Sequence, residues 1–133
     1  MSAERATYLD SSAVVKLAVR EPESAALRRS LRKRRLVVTS ALTRVEVARA
    51  LLPFGPAVVG RGADVLRRIG MIRINERILA AAGTLLPAEL RSLDAIHLAT
   101  AVQLGEDLGR VCTYDVNMAN AARAIGLTVI APT

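Results

Sequence analysis

Short apolar, β-branched runs alternate along the chain with longer stretches of helical periodicity. Residues 6–10, Ala-Thr-Tyr-Leu-Asp, read as a buried strand closed by an acid. Residues 11–19 then place Val14, Leu17 and Ala18 on one helical face. Pro22 stands where a new helix can begin, and residues 23–34 carry Ala26, Leu27 and Leu31 at helical spacing. Residues 36–39, Leu-Val-Val-Thr, predict a second strand, and residues 41–52 a helix ended by Pro53. Gly55, Pro56, Gly60 and Gly62 interrupt the centre, where a helix resumes and runs to Ile69. Residues 71–74 predict a third strand, and Asn75 is a good N-cap for the Ala-rich helix that Pro87 breaks. Residues 93–104 are helical up to Gly105, and residues 110–114 read as a fourth strand. A helix over 115–125 with Gly126 as its C-cap, and a strand over 127–130, complete the pattern.

Strands alternating with helices over short links predict an α/β fold with a mostly parallel sheet of four to five strands, flanked by helices. A chain of 133 residues has the length of one domain, residues 1–133, able to bury its own core. Apolar residues are 52% of the chain, which argues against disorder and leaves apolar surface over for a partner. No apolar run reaches the ~20 residues of a membrane helix. The opening Met1-Ser2-Ala3-Glu4-Arg5 is too charged for a signal peptide. The one cysteine, Cys112, excludes an internal disulfide and fits a reducing cytoplasm; with the one histidine, His97, it also excludes an ordinary structural zinc site. Neither GxGxxG nor GxxxxGK[ST] occurs, so dinucleotide and P-loop chemistry are not expected.

Charge narrows the partners. Lys plus Arg is 19 against 12 Asp plus Glu, a net +7, and only Lys16 and Lys33 are lysines. Guanidinium forks suit phosphate oxygens, and such a balance favours polyanions. With 2% aromatics, base stacking on a ring-lined sheet is a poor prospect, so contact with nucleic acid would run through its backbone. The densest positive run is Arg28-Arg29-Ser30-Leu31-Arg32-Lys33-Arg34-Arg35. Arg28, Arg29, Arg32, Arg34 and Arg35 are candidates for a phosphate track toward the site, against the plainer reading of a solvated helix face.

Ligands of open α/β sheets gather at the carboxyl ends of the strands. Asp10 closes the first strand and Asp115 follows the fourth, so both belong to one edge; each could equally be an N-cap. Glu46 lies between Val45 and Val47, where a surface pairing with Arg44 or Arg49 is the plain alternative. Asp94 opens an apolar helix, where the helix dipole alone favours an acid. Taken together, four hard-oxygen donors select Mg²⁺ or Mn²⁺, and such ions can serve phosphodiester cleavage. Clustered carboxylates repel one another unless a cation neutralises them. His97 is a tempting general base, but a lone histidine on an apolar helix is more often core. Cys112 reads as packing, not as a nucleophile.

At these residues the sequence resembles the PIN-domain ribonucleases, specifically the toxins of VapBC toxin–antitoxin pairs. The resemblance spans nearly the whole chain. It rests on Tyr8-Leu9-Asp10-Ser11-Ser12-Ala13, on Thr39-Ser40-Ala41-Leu42-Thr43-Arg44-Val45-Glu46, on Leu93 to Ala101, and on Thr113-Tyr114-Asp115 with the closing Ala121 to Leu127. It implies a three-layer PIN-like fold and a Mg²⁺- or Mn²⁺-dependent endoribonuclease. Asp10, Glu46, Asp94 and Asp115 would be its catalytic and metal-binding acids. Ser12 and Thr113 would support them by orienting carboxylates or water. It further implies an RNA substrate, an antitoxin protein from the same operon, and a homodimer that becomes a heterotetramer or larger with that antitoxin. The acidic pocket would seat an antitoxin arginine. Some family members carry a further acid where this chain has Asn117, which can offer a carbonyl but no charge. A receiver-type signalling domain is set aside, because the third strand ends in Ile74-Asn75 and no lysine follows the fifth. A non-catalytic basic module that binds RNA or protein through its arginines is the remaining alternative.

Overall fold

The computed structural model describes residues 4–133. Residues 1–3, part of the opening segment read above against a signal peptide, lie outside the described residues. Five strands form one sheet: β1 (Ala6–Leu9), β2 (Val37–Ser40), β3 (Gly70–Ile72), β4 (Leu108–Cys112) and β5 (Val129–Ile130). All neighbours are parallel, in the order β3-β2-β1-β4-β5. Helices α1 (Ser11–Ala18), α2 (Ser24–Arg32), α3 (Leu42–Leu51), α4 (Pro56–Arg67), α5 (Glu76–Gly83), α6 (Ser92–Gln103) and α7 (Val116–Ala124) supply the crossovers that parallel strands require. Among the described residues no helix is long and apolar enough to cross a membrane.

The central strands β1 and β2 are buried on both faces, which is why they read as apolar runs and not as alternating ones, while Gly70 and Met71 of the edge strand β3 are exposed. Leu9 and Cys112 pack on one side with Ala13, Val14, Leu27, Val47 and Leu51 of the first three helices. Ala6, Tyr8, Val38 and Val111 pack on the other with Ala101 of α6. Leu98 joins α6 to Met118, Ala121 and Ala122 of α7. The layers are therefore helix, sheet, helix, as expected.

Three strands stop earlier than the apolar pattern implies, whereas β2 ends one residue later, at Ser40, and β5 ends at Ile130 as expected. β1 ends at Leu9, so Asp10 is not a strand residue but the N-cap of α1; β4 ends at Cys112, two residues short of Tyr114, and Asp115 caps α7 as its position after the strand allowed. β3 likewise stops at Ile72, short of Asn75, which caps α5 through a bond from the Ile78 amide to Oδ1 (2.8 Å). The cause is competition: a cap oxygen captures a helix amide and turns the backbone out of the ladder. Gly126 stands in the left-handed region (φ 86°) just after α7, as a C-terminal glycine should. The central segment 53–70 is occupied by α4. There a Cβ on Gly62 would stand 2.6 Å from Leu51 Cδ1 and 3.1 Å from Val47 Cγ1, so the glycine lets α4 approach α3 closely.

Candidate active site

Strand order fixes where a site can form. The chain adds β2 and β3 outward on one side of β1, then returns to place β4 and β5 on the other. The crossovers on either side of β1 and β4 diverge, opening a crevice at their carboxyl ends. Asp10 follows β1 there and Thr113, Tyr114 and Asp115 follow β4. Glu46 enters from the second turn of α3 and Asp94 from the first turn of α6. The four sequence-predicted acids thus share one edge of the sheet.

Asp10 is the most enclosed, 4% exposed. Its Oδ1 accepts from Ser12 Oγ (2.6 Å) and from the Ala13 amide (3.2 Å), and its Oδ2 accepts from Thr113 Oγ1 (2.5 Å). Ser12 Oγ accepts in turn from the Tyr114 amide (2.9 Å), and Thr113 Oγ1 from the Asp115 amide (3.1 Å). Ser12 and Thr113 therefore lock the two strand ends together around the Asp10 carboxylate. Burial pushes the Asp10 carboxyl above its usual range, while the two hydroxyls, the His97 ring and the Ala13 amide pull it back. Asp115 caps α7 by accepting from the Met118 amide at Oδ1 (3.0 Å). The cap reading of Asp10 and Asp115 is thus correct as far as it goes. A cap uses only part of a carboxylate's four acceptor positions, so capping and a second role are compatible.

Asp94 is half-buried, and its carboxyl is also held above the usual range. Burial is the first cause and the Asp115 charge the second; Asp10 and Glu46 add to it, and His97 opposes it. Such mutual repulsion is what clustered carboxylates exert on one another. Asn117 lies exposed on α7 and, with Asp94 and Asn120, lines a cleft of about 900 Å³ whose apolar wall includes Leu90 and Ile125.

Glu46 has neither Arg44 nor Arg49 as its partner. Its Oε1 accepts from His97 Nε2 (2.5 Å), and His97 Nδ1 meets Tyr8 Oη (2.7 Å). His97 is 1% exposed, with both ring nitrogens engaged. Its placement answers to packing and pairing, not to proton exchange with solvent. Tyr8 was read from the sequence only as a strand residue. The chemical signal available was the i, i+3 spacing of Asp94 and His97 on one helix. Thr39 and Thr43 are a second hidden feature: Thr39 Oγ1 donates to the Leu9 carbonyl (2.7 Å) and shares a bond with Thr43 Oγ1 (2.7 Å), tying the start of α3 to the end of β1.

The donor set fits a hard cation in kind: carboxylates, hydroxyls and an amide, with no thiolate offered. Burial takes the remaining thiol out of consideration, since Cys112 is fully enclosed and pushed up to about 12. Among the described residues no three His, Cys, Asp or Glu side chains already surround one point at ligating distance. Side-chain adjustment of the half-buried Asp94, Asp115 and Glu46 is what would bring oxygens to a shared ion.

The arginines lie elsewhere. Arg28, Arg34 and Arg35, with Arg68, line a cleft of about 390 Å³ beside Leu31, Val37 and Val65. Arg34 and Arg35 directly precede β2, at the amino edge of the sheet, opposite the acids. Arg29 and Arg32 are exposed on α2. A basic track running into the acids does not form within the protomer, because a run that leads into a parallel strand must lie at its starting end.

The sequence and the fold are shared with known proteins. The PIN-domain sequence profile matches residues 7–124. Ribonuclease VapC46 of Mycobacterium tuberculosis is 60% identical over 127 residues, covering 96% of this chain and 98% of that protein. Ribonuclease VapC47 of the same organism is 36% identical over 130 residues, covering 94% and 96%. Among solved structures, M. tuberculosis VapC20, a toxin that cleaves the sarcin–ricin loop, superposes with a TM-score of 0.77 at 16% identity, over 95% of this chain and 99% of that one. A toxin–antitoxin complex from Klebsiella pneumoniae gives 0.72 at 22% identity, over 96% and 98%. At those identities the structures establish the fold, and the sequence relatives establish the lineage. The acids at the β1/β4 crevice, the strand order and the full-length match to VapC proteins together place this chain in the PIN-domain family, in its VapC branch.

Proposed function

We propose that this protein is an endoribonuclease that hydrolyses RNA phosphodiester bonds with the help of Mg²⁺ or Mn²⁺, and that it is the toxin of a toxin–antitoxin pair. The observation that carries the reading is the group of four carboxylates at the β1/β4 crevice, with Asp10 held above its usual range by burial and Asp94 by burial and its acidic neighbours. In a protein of net charge +7, such a pocket calls for a cation and a polyanionic substrate. Full-length similarity to proteins named ribonucleases supports the activity. One domain, residues 1–133, carries it, and a reducing cytoplasm suits the single buried thiol of Cys112.

Asp10, Asp94, Asp115 and Glu46 would hold the cation, which when bound polarises phosphate oxygens and lowers the pKa of water. This chain's own residues do the rest. Ser12 and Thr113 keep the Asp10 carboxylate in one orientation, each through a bond of 2.6 Å or less. Asn117, beside Asp94, offers a neutral carbonyl or amide to a substrate oxygen without adding to the negative charge. The five arginines Arg28, Arg29, Arg32, Arg34 and Arg35 would contact RNA phosphates remote from the cut. The partners in this reading are RNA, a second copy of the chain and an antitoxin, whose assembly with similar proteins is seen in a toxin–antitoxin complex of the same fold.

The deciding experiment incubates the purified protein with a labelled RNA in Mg²⁺, in Mn²⁺ and in excess EDTA. Cleavage in either cation and none in EDTA is expected, with the EDTA block reversed by added cation. Cleavage that persists in EDTA would overturn the metal-dependent reading. RNA binding with no cleavage under any condition would favour the arginine-mediated binding module.

A further inference from the structure

Tyr8, His97 and Glu46 stand in a line that runs from the sheet core to the edge of the acidic crevice. Tyr8 is fully buried in β1, the central strand, and His97 is 1% exposed on α6. Glu46 is the half-buried end, with its side chain 19% exposed. Tyr8 Oη is 2.7 Å from His97 Nδ1, and His97 Nε2 is 2.5 Å from Glu46 Oε1. An ionised carboxylate can only accept, so the Nε2 position carries the proton and donates. The other ring nitrogen, Nδ1, is held by the Tyr8 hydroxyl. Burial, and after it the Asp10 charge, push the Tyr8 phenol up, so it keeps the proton it donates.

We propose that Tyr8 and His97 are positioning residues that hold Glu46 as a one-oxygen ligand for the divalent cation. Tyr8 holds the ring of His97 at Nδ1, His97 occupies Oε1 of Glu46, and Oε2 is the oxygen left for the cation. The inference rests on the metal-nuclease reading and adds to it residues that touch neither cation nor RNA. Helix α6 takes a double part. It carries Asp94, and one turn later it carries the clamp for an acid on α3. Two ligands from different layers are thereby set relative to one another by a single rigid helix. Outer groups of this kind orient ligating side chains, and their loss typically lowers metal affinity by about 10–100-fold.

Mn²⁺ is titrated into wild type, His97→Leu, His97→Gln and Tyr8→Phe, and free Mn²⁺ is read by electron paramagnetic resonance. Thermal unfolding without cation is recorded beside it. His97→Leu should lose about tenfold or more in Mn²⁺ affinity. His97→Gln, whose amide can still donate, should recover most of that loss. Tyr8→Phe, which leaves buried His97 Nδ1 without its partner, should lower the unfolding midpoint yet stay folded at the titration temperature, and it should weaken Mn²⁺ binding by a smaller factor, whereas loss of a purely structural tyrosine would leave the affinity of the folded protein unchanged. Nitrogen-detected NMR of the wild type should show His97 Nε2 protonated. A wild type that binds Mn²⁺ while both Tyr8→Phe and a folded His97→Leu bind as tightly overturns this inference alone. Should His97→Leu not fold, Tyr8→Phe binding at wild-type strength overturns it. A wild type that binds no Mn²⁺ removes the metal-nuclease reading, and this inference with it.

Discussion

The carboxyl and amino edges of the sheet carry opposite charge and are built on opposite principles. At the carboxyl edge, acids are drawn out of water and fixed by short bonds. Asp10 accepts three of them, from Ser12, Ala13 and Thr113, and Glu46 is met by a buried imidazole. At the amino edge, charge is spread over arginines with few fixed partners. Arg110 Nη1 donates to Thr7 Oγ1 (2.7 Å), while Arg34 Nε is buried without a hydrogen-bond partner among the described residues. Arg28 makes only a long bond to the Leu17 carbonyl (3.4 Å). On the function proposed above, a small cation would need oxygens held in place, as the hydroxyl partners of Asp10 hold its carboxylate. A long polyanion would need only a field, which guanidinium groups supply without fixed geometry. Net charge therefore describes the second edge and conceals the first.

The sharpest way to break this contrast is to change the charge of the fixed edge alone. Asp10→Asn retains an N-cap oxygen and lifts a buried charge, so its unfolding midpoint should hold or rise. RNA cleavage should fall by at least about a hundredfold, the upper end of what losing a mere outer-shell partner costs. Mg²⁺ at ten times the wild-type dissociation constant should stabilise the wild type by about 1.4 kcal/mol and the variant by much less. Cleavage assays and thermal shifts read both. A variant that keeps wild-type cleavage and the wild-type Mg²⁺ shift would show that Asp10 is a cap and nothing more.

The diffuse edge should respond differently. Arg34→Ser with Arg35→Ser should leave cleavage of a short RNA within about twofold, because neither side chain lies near the acids. Binding of a long RNA should weaken, with a salt dependence shallower by roughly one to two counterions. Fluorescence anisotropy across a salt series measures this. Collapse of short-RNA cleavage in the double variant would join the two edges into one site.

The smallest effect concerns how far the dryness of the acidic edge extends beneath it. Cys112 lies at the end of β4 and is fully buried. Burial first, and the Asp10 charge second, push its thiol up to about 12 from an unfolded value near 9.0. The folded thiol is thus raised above the unfolded one. Its contribution is fully present below pH 9 and is lost as pH rises toward the folded value. Urea midpoints between pH 8 and pH 10.5 should therefore fall more steeply for wild type than for Cys112→Ala. Parallel curves would mean that water or a compensating charge reaches the β4 end.

Much of the acidic site was legible because its residues sit at boundaries the sequence marks. Asp10 follows a buried strand, Asp115 follows another, and Asp94 opens an apolar helix. Such positions advertise themselves through the change of period around them. Asp10 and Asp115 were each legible twice, as cap and as acid, and the structure shows how one carboxylate does the first while leaving room for the second. Glu46 was legible only as an acid among valines. Its partner could not be read, because His97 lies 51 residues away on α6, which covers the opposite face of the sheet from α3, and the two side chains meet only at the carboxyl edge. The arginine run was plain as composition, but its direction relative to the acids was not. That depends on which end of β2 it enters, and on all the strands being parallel.

Sequence alone determined the alternation of strand and helix, and with it a parallel sheet, since short links between such elements leave no other arrangement that buries both faces. It also determined which residue types could meet a divalent cation. Tertiary structure decided the strand order, and hence that the crevice opens between β1 and β4. It decided where the strands stop, because cap bonds outcompete ladder bonds only once the following helix is docked. It decided that Tyr8, His97 and Glu46 form one chain across three elements. Sequence patterns report the periodicity of neighbours along the backbone, whereas a hydrogen bond between strand, helix and helix is set by packing that brings distant residues within 3 Å.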